Sequence, residues 1–435
     1  MKRQFAFVSV FLFSLLVAGC VAQPTPTPTE EPQEQLTTME EIPMPNEGPV
    51  LVGIYDHFDL DTYMRPVWDG RVVHNETVMF IGQEDRVPLL YPADEILSVR
   101  SYDLKTEYEP GKDYDYIDGK LVLPEGSQIR AISKSVYYAN VEGDWALQTR
   151  HDGTASDTYW GEGTTMTQWQ LAVTYTHSCY WPYEIPVSYA ERYEKLRTKL
   201  ENGENVTFVF YGDSITYGAN SSAMLGVEPF APTWPVMFTQ YVAQQYGYAV
   251  EYIALPIENT PIPPAQPSVY GDKGVITYIN ASVGGWGAET GSANMEMYIN
   301  QFVREYGCDL FVVAYGMNNS DSSAEGIAML HQMMIEKAHK VDRDTCAAMV
   351  STMVPNPDAL GHWYGNQETF EAEMIRYADM CTEEGIPCAV APMTSMSLSV
   401  LKTKRFCDYT GNNINHPNDF MARIYAQTLY QTVFG

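Results

Sequence analysis

An alternation of apolar runs with helical segments after Gly203 restricts the fold of this chain more than any other feature. Val206–Tyr211 and Asp309–Tyr315 are nearly continuous apolar runs, as expected of strands that are buried on both faces. Helical segments such as Ala324–Val341, with apolar residues at three- and four-residue steps, lie between such runs. Repeated strand and helix predict a parallel sheet with helices on both faces, which is an α/β fold.

The part of the chain before this alternation has a different pattern of apolar and turn-forming residues. From about Val50 to Pro186, short apolar runs are broken by Gly, Asp and Pro, with turn signals such as Pro110-Gly111. Short strands at this spacing predict a β-sandwich or jelly roll. We therefore expect an all-β domain over residues 49–187 and an α/β domain over residues 188–435.

The first 48 residues are interpreted as a targeting segment and a stalk. A charged start and a short apolar stretch, Phe5–Val17, predict a signal peptide over residues 1–20. The run Val17-Ala18-Gly19-Cys20 resembles the bacterial lipobox, in which the Cys is diacylated, and an ordinary cleaved signal that contains a Cys is the alternative. Residues 21–48, rich in Pro, Thr and acids, predict an extended linker. We expect a secreted protein at the outer face of a bacterial membrane, held there only by lipid on Cys20.

The net charge and the cysteine spacing limit the classes of ligand and partner that this protein is expected to bind. The formal net charge of −29 argues against nucleic acid, which needs clustered Lys and Arg, and is compatible with neutral polysaccharides. The cysteines after Cys20 show no CxxC spacing, so neither zinc nor another metal is predicted, and no organic cofactor is needed. Cys308, Cys346 and Cys388 lie near the starts of predicted strands and are expected to be small apolar fillers. The sequence indicates no oligomeric state.

Two short motifs follow the first predicted strands, at the sheet edge where reactive groups gather in α/β proteins. Gly212-Asp213-Ser214 follows Val206–Tyr211 and can present a serine hydroxyl, although alone it also fits a turn with an N-capping serine. Gly284-Gly285-Trp286 comes after the strand at Ile276–Ser282. Glycines let backbone N–H groups approach a ligand closely, and a simple glycine turn is the alternative.

Two further motifs follow later strands. Asn318 comes directly after the strand at Asp309–Tyr315, where its amide can donate to a developing oxyanion or merely cap a turn. His416 precedes Pro417 at the start of the last predicted helix. The proline limits backbone freedom and helps to hold the imidazole, although a single His of this kind also fits an ordinary surface residue.

Together, in this order, the four motifs resemble the four sequence blocks of the SGNH hydrolase superfamily over about Val206–Gly435. The resemblance implies a flavodoxin-like three-layer α/β/α sandwich. It also implies Ser214 as nucleophile and His416 as its base. The expected oxyanion hole consists of the backbone N–H groups of Ser214 and Gly285 and the side-chain amide of Asn318.

Two neighbours of these residues are candidates for contacts with the substrate. Trp286 follows the glycine of the second block and is a candidate for a wall of the substrate pocket. Asp213, directly before the nucleophile, is a further candidate.

The chain departs from the family pattern where Asp-x-x-His is usual, because Asn413 stands three residues before His416. Three interpretations remain open. The enzyme works as a Ser–His dyad in which Asn413 or a backbone carbonyl orients the ring, which is the interpretation that we favour. Alternatively, Asp408 in the same loop supplies the carboxylate, or the domain has lost its activity.

The order of the two predicted domains is similar to that of family-2-type carbohydrate esterases, which pair a jelly roll with an SGNH domain and remove acetyl groups from plant polysaccharides. The similarity implies an extracellular serine esterase that hydrolyses short-chain acyl esters, mainly O-acetyl esters on polysaccharide, through an acyl-enzyme. A small acyl group is expected because no long apolar segment suggests a lid. The alternatives are a cell-surface O-acyltransferase with the same Ser and His, and a non-catalytic glycan-binding lipoprotein.

Overall fold

The computed structural model of this protein describes residues 59–138, 147–149, 157–357 and 363–435. The predicted signal peptide, the stalk and the lipid attachment at Cys20 lie outside these residues and stay predictions. The described residues belong to one compact unit, and the predicted domain bounds stay predictions. We refer to residues 59–187 as the β-region and to residues 188–435 as the α/β-region.

The β-region consists of short strands with two one-turn helices, as its sequence predicts. Its strands are β1 (Val72–Ile81), β2 (Val87–Pro88), β3 (Glu95–Ser101), β4 (Asp115–Ile117), β5 (Lys120–Val122), β6 (Ala131–Ile132), β7 (Leu147–Thr149), β8 (Asp157–Tyr159) and β9 (Gln170–Thr176). Its helices are α1 (Leu60–Tyr63) and α2 (Lys134–Tyr137), with a 3₁₀ turn at Thr167–Trp169.

These strands form small sheets. The largest has the order β3-β9-β1-β6, with β1 and β6 parallel and the other pairs antiparallel, and β2-β5-β4 form a second sheet. The described strands agree with an all-β region, and the jelly-roll topology stays a prediction. The last six residues of β1 and the first six of β9 are all buried, because the α/β-region covers the face that a free sandwich would expose.

The α/β-region alternates strands and helices, as predicted. Its strands are β10 (Val206–Gly212), β11 (Ala249–Ile253), β12 (Ser268–Val269), β13 (Val275–Asn280), β14 (Leu310–Ala314), β15 (Cys346–Val350) and β16 (Cys388–Ala391). Its helices are α3 (Glu194–Asn202), α4 (Ser214–Tyr217), α5 (Ser222–Leu225), α6 (Trp234–Tyr246), α7 (Ala288–Met295), α8 (Gln301–Tyr306), α9 (Ala324–Val341), α10 (Phe370–Glu383), α11 (Met393–Leu401), α12 (Phe406–Tyr409) and α13 (Asp419–Phe434). Two 3₁₀ turns, Ala190–Tyr193 and Asn366–Thr369, and a π turn, Glu296–Asn300, complete it.

The seven strands form one sheet in the order β12-β11-β13-β10-β14-β15-β16, in which only β12 is antiparallel to its neighbour. Without the two edge strands β11 and β12, the order is the 2-1-3-4-5 of flavodoxin-like folds, which confirms the predicted α/β class. The chain passes from β10 to β13 on one side and later to β14 on the other. The carboxyl end of β10 is therefore the topological switch point, where sheets of this type bind their ligands.

Both faces of the sheet are covered, which gives the predicted three layers. Phe208 and Phe210 of β10 lie in a core with α6 and α13, and this core continues into the β-region. Val209 and Tyr211 point to the opposite face, where they pack in a second core with α7, α9 and α10. The strand is apolar throughout because each of its faces is buried.

A buried ion pair joins the two regions. Lys404, which follows α11, places its Nζ 2.5 Å from Oε1 of Glu76 in β1, and neither side chain is exposed to solvent. The Glu76 carboxylate also accepts hydrogen bonds from Leu90 N at 2.8 Å and from the Tyr175 hydroxyl at 2.5 Å. Lys404 donates a further bond to the Thr77 carbonyl at 2.9 Å. The two charges thus satisfy each other, which a buried pair requires.

All six cysteines after Cys20 are buried and free. Cys346 and Cys388 begin β15 and β16, and Cys308 lies just before β14, which confirms that they fill space at strand starts. Among the residues that the structure describes, no group of three or more His, Cys, Asp or Glu side chains could hold a metal ion. Within the same residues, no helix has the length and apolar character needed to cross a membrane.

The last residue of β10 must be glycine because of its neighbours. Gly212 pairs with Ala314 of β14, and a methyl group on Gly212 would collide with Thr216 Oγ1 and the Ala314 carbonyl oxygen. We expect Gly212→Ala to lower the free energy of unfolding in urea by about 1–3 kcal/mol, as overpacking usually does. Gly326→Ala, on the first turn of α9 with only the flexible Ser323 hydroxyl nearby, is the matched control and should be close to neutral. Equal midpoints and slopes for the two variants would contradict this account of β10.

Candidate active site

Ser214 lies at the point where β10 ends. Gly212 is the last residue of the strand, Asp213 is the N-cap of α4, and Ser214 is the first residue of that short helix. The Asp213 carboxylate accepts a hydrogen bond from Ile215 N at 2.9 Å, which fixes the turn from strand to helix. As the first residue of α4, Ser214 keeps a backbone N–H without an intrahelical acceptor. The serine therefore stands at the switch point of the sheet.

Asp213 supports the turn that carries Ser214. Its side chain is buried and faces the backbone N–H groups of Ile215, Thr216 and Met317. Burial raises the pKa of Asp213 to about 6, although these N–H groups and the charge of His416 act in the opposite direction. The predicted contact of Asp213 with substrate stays a prediction.

His416 lies in the loop that leads to α13, and the loop is fixed by its own side chains. Asn412 Oδ1 accepts hydrogen bonds from Ile414 N, Asn415 N and His416 N, each at 3.0 Å. The Thr410 hydroxyl donates to the His416 carbonyl oxygen at 2.8 Å. These bonds satisfy buried backbone groups that have no strand or helix partner, so the backbone of the histidine has little freedom.

The loop brings His416 onto Ser214. The distance from Ser214 Oγ to His416 Nε2 is 2.9 Å, which is hydrogen-bond distance between a hydroxyl and an imidazole. The two residues are only 9% and 8% exposed, so the pair is largely shielded from water. The structure thus unites the two residues that the sequence assigned to nucleophile and base.

The other ring nitrogen of His416 faces two oxygen atoms. Nδ1 lies 2.7 Å from Asn220 Oδ1 and 3.2 Å from Glu162 Oε2. Asn220 comes from the segment after α4, and Glu162 comes from the segment between β8 and β9 of the β-region. Both oxygens can accept the Nδ1–H, which places the proton acceptor of the ring at Nε2, toward the serine.

The prediction that Asn413 orients the ring is wrong. The backbone turns at Asn413 with a φ of 64°, and its side chain is bound by the β-region instead. Its Nδ2 donates to the Tyr159 carbonyl at 2.7 Å and to the Tyr137 hydroxyl at 2.9 Å, and its Oδ1 accepts from Asn356 at 3.2 Å. Asn413 therefore holds the loop against the β-region.

The alternative acid, Asp408, does not contact the ring either. Its carboxylate accepts hydrogen bonds from Met79 N at 3.0 Å and from the Arg405 guanidinium at 3.1 Å. Burial raises the pKa of Asp408, but the charges of Arg405 and Lys404 and these hydrogen bonds outweigh it and keep the pKa below its usual value. Asp408 is an ionised group that anchors β1 to α12, and the prediction of a catalytic role is wrong.

The glycines after β13 pass close to the serine. A Cβ built on Gly284 would lie 3.8 Å from Ser214 Cβ, and Gly285 has a φ of 79°, a left-handed conformation that favours glycine. Both glycines are exposed. The backbone of this turn therefore borders the space above Ser214, and the oxyanion role of the Gly285 N–H stays a prediction.

Asn318 and Trp286 lie together at the same edge. Asn318 Nδ2 donates to the Trp286 carbonyl oxygen at 2.9 Å, which leaves its second N–H for another acceptor. The Trp286 ring is partly buried against Tyr298, with ring centroids 4.7 Å apart. Asn318 is held in place by the glycine turn, and the roles of Asn318 in an oxyanion hole and of Trp286 as a pocket wall stay predictions.

Two residues at the site, Glu162 and Asn220, were not found from the sequence. Glu162 is far from His416 in the chain and belongs to no block of the resemblance. A weak signal exists, since an acid between two glycines, Gly161-Glu162-Gly163, is typical of a tight turn that presents a side chain. Asn220 adopts a φ of 65°, and a polar residue six positions after a nucleophile gives no specific signal.

Solved structures with a similar arrangement were found at low sequence identity. A two-domain esterase active on acetylated mannans, co-crystallised with mannopentaose, is 16% identical over 56% of this chain and 53% of that chain, with a TM-score of 0.38. A carbohydrate esterase family 3 structure from Talaromyces cellulolyticus is 14% identical over 52% of this chain and 94% of that one, with a TM-score of 0.36. A family 3 carbohydrate esterase from Clostridium thermocellum is 13% identical over 53% and 95%, with a TM-score of 0.34.

The match spans about half the length of the two-domain esterase. No family model and no curated protein matches this chain. Similarities at this level carry no argument about activity, which therefore depends on the site itself.

Proposed function

We propose that this protein is a serine esterase of the SGNH type that removes short acyl groups, mainly acetyl, from carbohydrate. The observation that carries the proposal is the 2.9 Å contact of Ser214 Oγ with His416 Nε2 at the carboxyl end of β10. A nucleophile in hydrogen-bond reach of a base, with the base held by a third group, is the signature of covalent acyl transfer. A protein that only binds glycans has no need of this contact.

The reaction proceeds in two steps. Ser214 Oγ attacks the ester carbonyl carbon as its proton passes to His416 Nε2, and the same proton then goes to the leaving alcohol oxygen. Water, deprotonated by His416, attacks the acyl-enzyme and releases the acid and the serine. The chemistry requires no cofactor or metal.

The oxyanion of each tetrahedral intermediate would be held by three donors. They are the free N–H of Ser214 at the start of α4, the N–H of Gly285 and the second N–H of the Asn318 amide. Donors of this kind lower the barrier by about 3 kcal/mol each because they are already oriented before charge develops.

Two open hollows, neither of them lined by Ser214 or His416, support a substrate larger than an acetyl group. One, of about 650 Å³, is lined by Tyr217 of α4, by Asn280 and by Phe230. The other, of about 600 Å³, is also lined by Phe230 and adds the aromatic rings of Tyr108 and Trp169 together with polar side chains. Aromatic faces next to polar groups suit the apolar faces and hydroxyls of sugars, so we infer that an acetylated polysaccharide is the substrate.

The same proposal includes the location. A lipid on Cys20 and the linker over residues 21–48 would hold the enzyme at the outer face of a bacterial membrane, where extracellular glycans are accessible. Metabolic labelling with a radioactive fatty acid, compared between the wild-type chain and Cys20→Ala, tests this part. Label that persists in Cys20→Ala would contradict it.

Acetate release tests the proposed reaction. The full chain is incubated with 4-nitrophenyl acetate and with acetylated xylan or mannan, next to Ser214→Ala, and a fluorophosphonate is used to label the active serine. We expect acetate release and phosphonylation at Ser214 in the wild type, and neither in the variant. Acetate release that does not depend on Ser214, or no release from any acetyl ester, would overturn the esterase proposal. Acetyl transfer to a glycan acceptor in excess of hydrolysis would identify an acyltransferase instead.

A further inference from the structure

Glu162 is the only acidic side chain of the described residues recorded within ion-pair distance of His416, and it belongs to the β-region. Its Oε2 lies 3.2 Å from His416 Nδ1, on the side of the ring opposite Ser214. We propose that Glu162 is the carboxylate that the usual SGNH pattern places three residues before the histidine, supplied here from the other region of the chain. It is a positioning residue that acts through His416, and the proposal rests on the proposed esterase function.

The position of Glu162 is fixed by the loop that carries the histidine. Glu162 Oε1 accepts a hydrogen bond from Asn412 Nδ2 at 3.0 Å, and Gly161 N donates to the Asn412 carbonyl oxygen at 3.1 Å. Asn412 is the residue whose Oδ1 also binds the backbone N–H of His416 at 3.0 Å. One side chain thus sets the distance between the acid and the imidazole, although the two are far apart in sequence.

Asn220 and Glu162 divide the task that one aspartate performs in a triad. Asn220 Nδ2 donates to the Gly163 carbonyl at 3.2 Å and to the Gly411 carbonyl at 3.4 Å, so its Oδ1 must face the ring. At 2.7 Å, that oxygen accepts Nδ1–H and fixes the tautomer, but it carries no charge. Glu162 provides the negative charge that stabilises the imidazolium when the serine proton arrives.

The charge state of Glu162 suits this role. The Glu162 side chain is 50% exposed. Its partial burial raises the pKa of the carboxyl, but the hydrogen bond and charge of His416 and the hydrogen bonds from Asn412 and Asn220 outweigh burial and leave the pKa below its usual value. The other titratable groups that face the ring are Ser214 and the buried Asp213 beneath it. The proton passes between Ser214 Oγ, His416 Nε2 and the leaving oxygen throughout, while Glu162 stays ionised.

The test changes the charge without changing the shape. Glu162→Gln keeps an acceptor for Asn412 and removes the negative charge, and Glu162→Asp keeps the charge on a side chain one methylene shorter. Glu125→Gln, an exposed acid of the β-region away from the site, is the matched control. We expect kcat for an acetyl ester to fall about 10- to 100-fold in Glu162→Gln with KM little changed, to fall much less in Glu162→Asp, and to stay unchanged in the control.

A titration separates this role from a structural one. Burial raises the pKa of the Glu162 carboxyl, but the hydrogen bond and charge of His416 lower it, so loss of the imidazole should raise that pKa. We expect the ¹³C NMR titration of the Glu162 carboxyl in the full chain to move to higher pH in His416→Asn. Glu162→Gln identifies the signal.

The NMR titration keeps this proposal separate from the esterase proposal. If the full chain has no Ser214-dependent activity, the proposed function fails, and the titration of Glu162 still decides whether it interacts with His416. An unchanged Glu162 titration in a folded His416→Asn variant would overturn the role of Glu162. A loss of kcat in Glu162→Asp as large as that in Glu162→Gln would do the same, because it would show that the negative charge is not needed.

Discussion

Replacing His416 with alanine is expected to lower kcat for 4-nitrophenyl acetate by about 10⁴- to 10⁶-fold, with a small effect on KM. The imidazole is the only base within reach of Ser214 Oγ among the described residues, and its loss leaves the hydroxyl with no acceptor for its proton. What remains after such a loss in serine hydrolases comes from the oxyanion donors and from binding. Initial rates measured at several substrate concentrations separate the effect on kcat from the effect on KM.

The double variant Ser214→Ala with His416→Ala tests whether the two residues act together in one step or contribute to catalysis independently. Because the pair acts together, we expect the double variant to be about as impaired as either single variant. His339→Ala, which removes a half-buried histidine from α9, is the control and should keep full activity. Additive losses in the double variant would mean that Ser214 and His416 do not act in one proton transfer.

The largest expected effect on stability concerns the ion pair between the two regions. Lys404→Met leaves the carboxylate of Glu76 buried without its counter-charge, and we expect the free energy of unfolding in urea to fall by about 3–5 kcal/mol. Lys195→Met removes an exposed ion pair with Asp344 and should cost less than about 1 kcal/mol. The comparison isolates burial, because the same chemical change is made at both positions.

A second variant tests whether the charge itself, rather than the shape of lysine, causes the loss. In Glu76→Leu with Lys404→Met both charges are replaced by apolar groups, and most of the stability should return. The Tyr175 hydroxyl then loses its acceptor, which limits the recovery. A double variant less stable than Lys404→Met would show that the pair is needed for more than mutual neutralisation.

The α/β-region was largely predictable because its signals are local. A strand buried on both faces must be apolar at every position, so β10 is visible in the sequence, and α9 has the predicted bounds, Ala324–Val341. Parallel strands bring their carboxyl ends to one edge, so Ser214 and Asn318 had to lie near each other once the strands were known. His416 follows α12 rather than a strand, so its contact with Ser214 was expected from the resemblance to SGNH hydrolases and not from the sheet.

The third group of the site was not predictable, since its position depends on how the two regions pack. The spacing between Asn413 and His416 suggested a contact between their side chains. The left-handed turn at Asn413 instead directs its side chain to the β-region, where it donates a hydrogen bond. Glu162 approaches the ring only because Asn412 binds it across the regions. No periodicity or motif within one segment encodes a contact of that kind.

The packing of the β-region was not predictable for a related physical reason. A sandwich domain that stands alone would expose one face of each sheet, whereas β1 and β9 are covered by the α/β-region. Glu76 of β1 also forms an ion pair with Lys404 of that region. Glu76 within a strand is typical of a solvent-facing position, and here it is fully buried. Burial of a charge depends on its partner, and that partner lies elsewhere in the chain.

His416 contacts residues of both regions, and this affects the order in which the site forms as the chain is synthesised and folds. Ser214, Asn220 and Glu162 are synthesised well before His416, which lies at the start of the last helix. Contacts between such distant positions form late because a long loop must close first. During synthesis the chain therefore holds Ser214 without His416, and under the proposed function the catalytic pair is complete only after the last helix has docked.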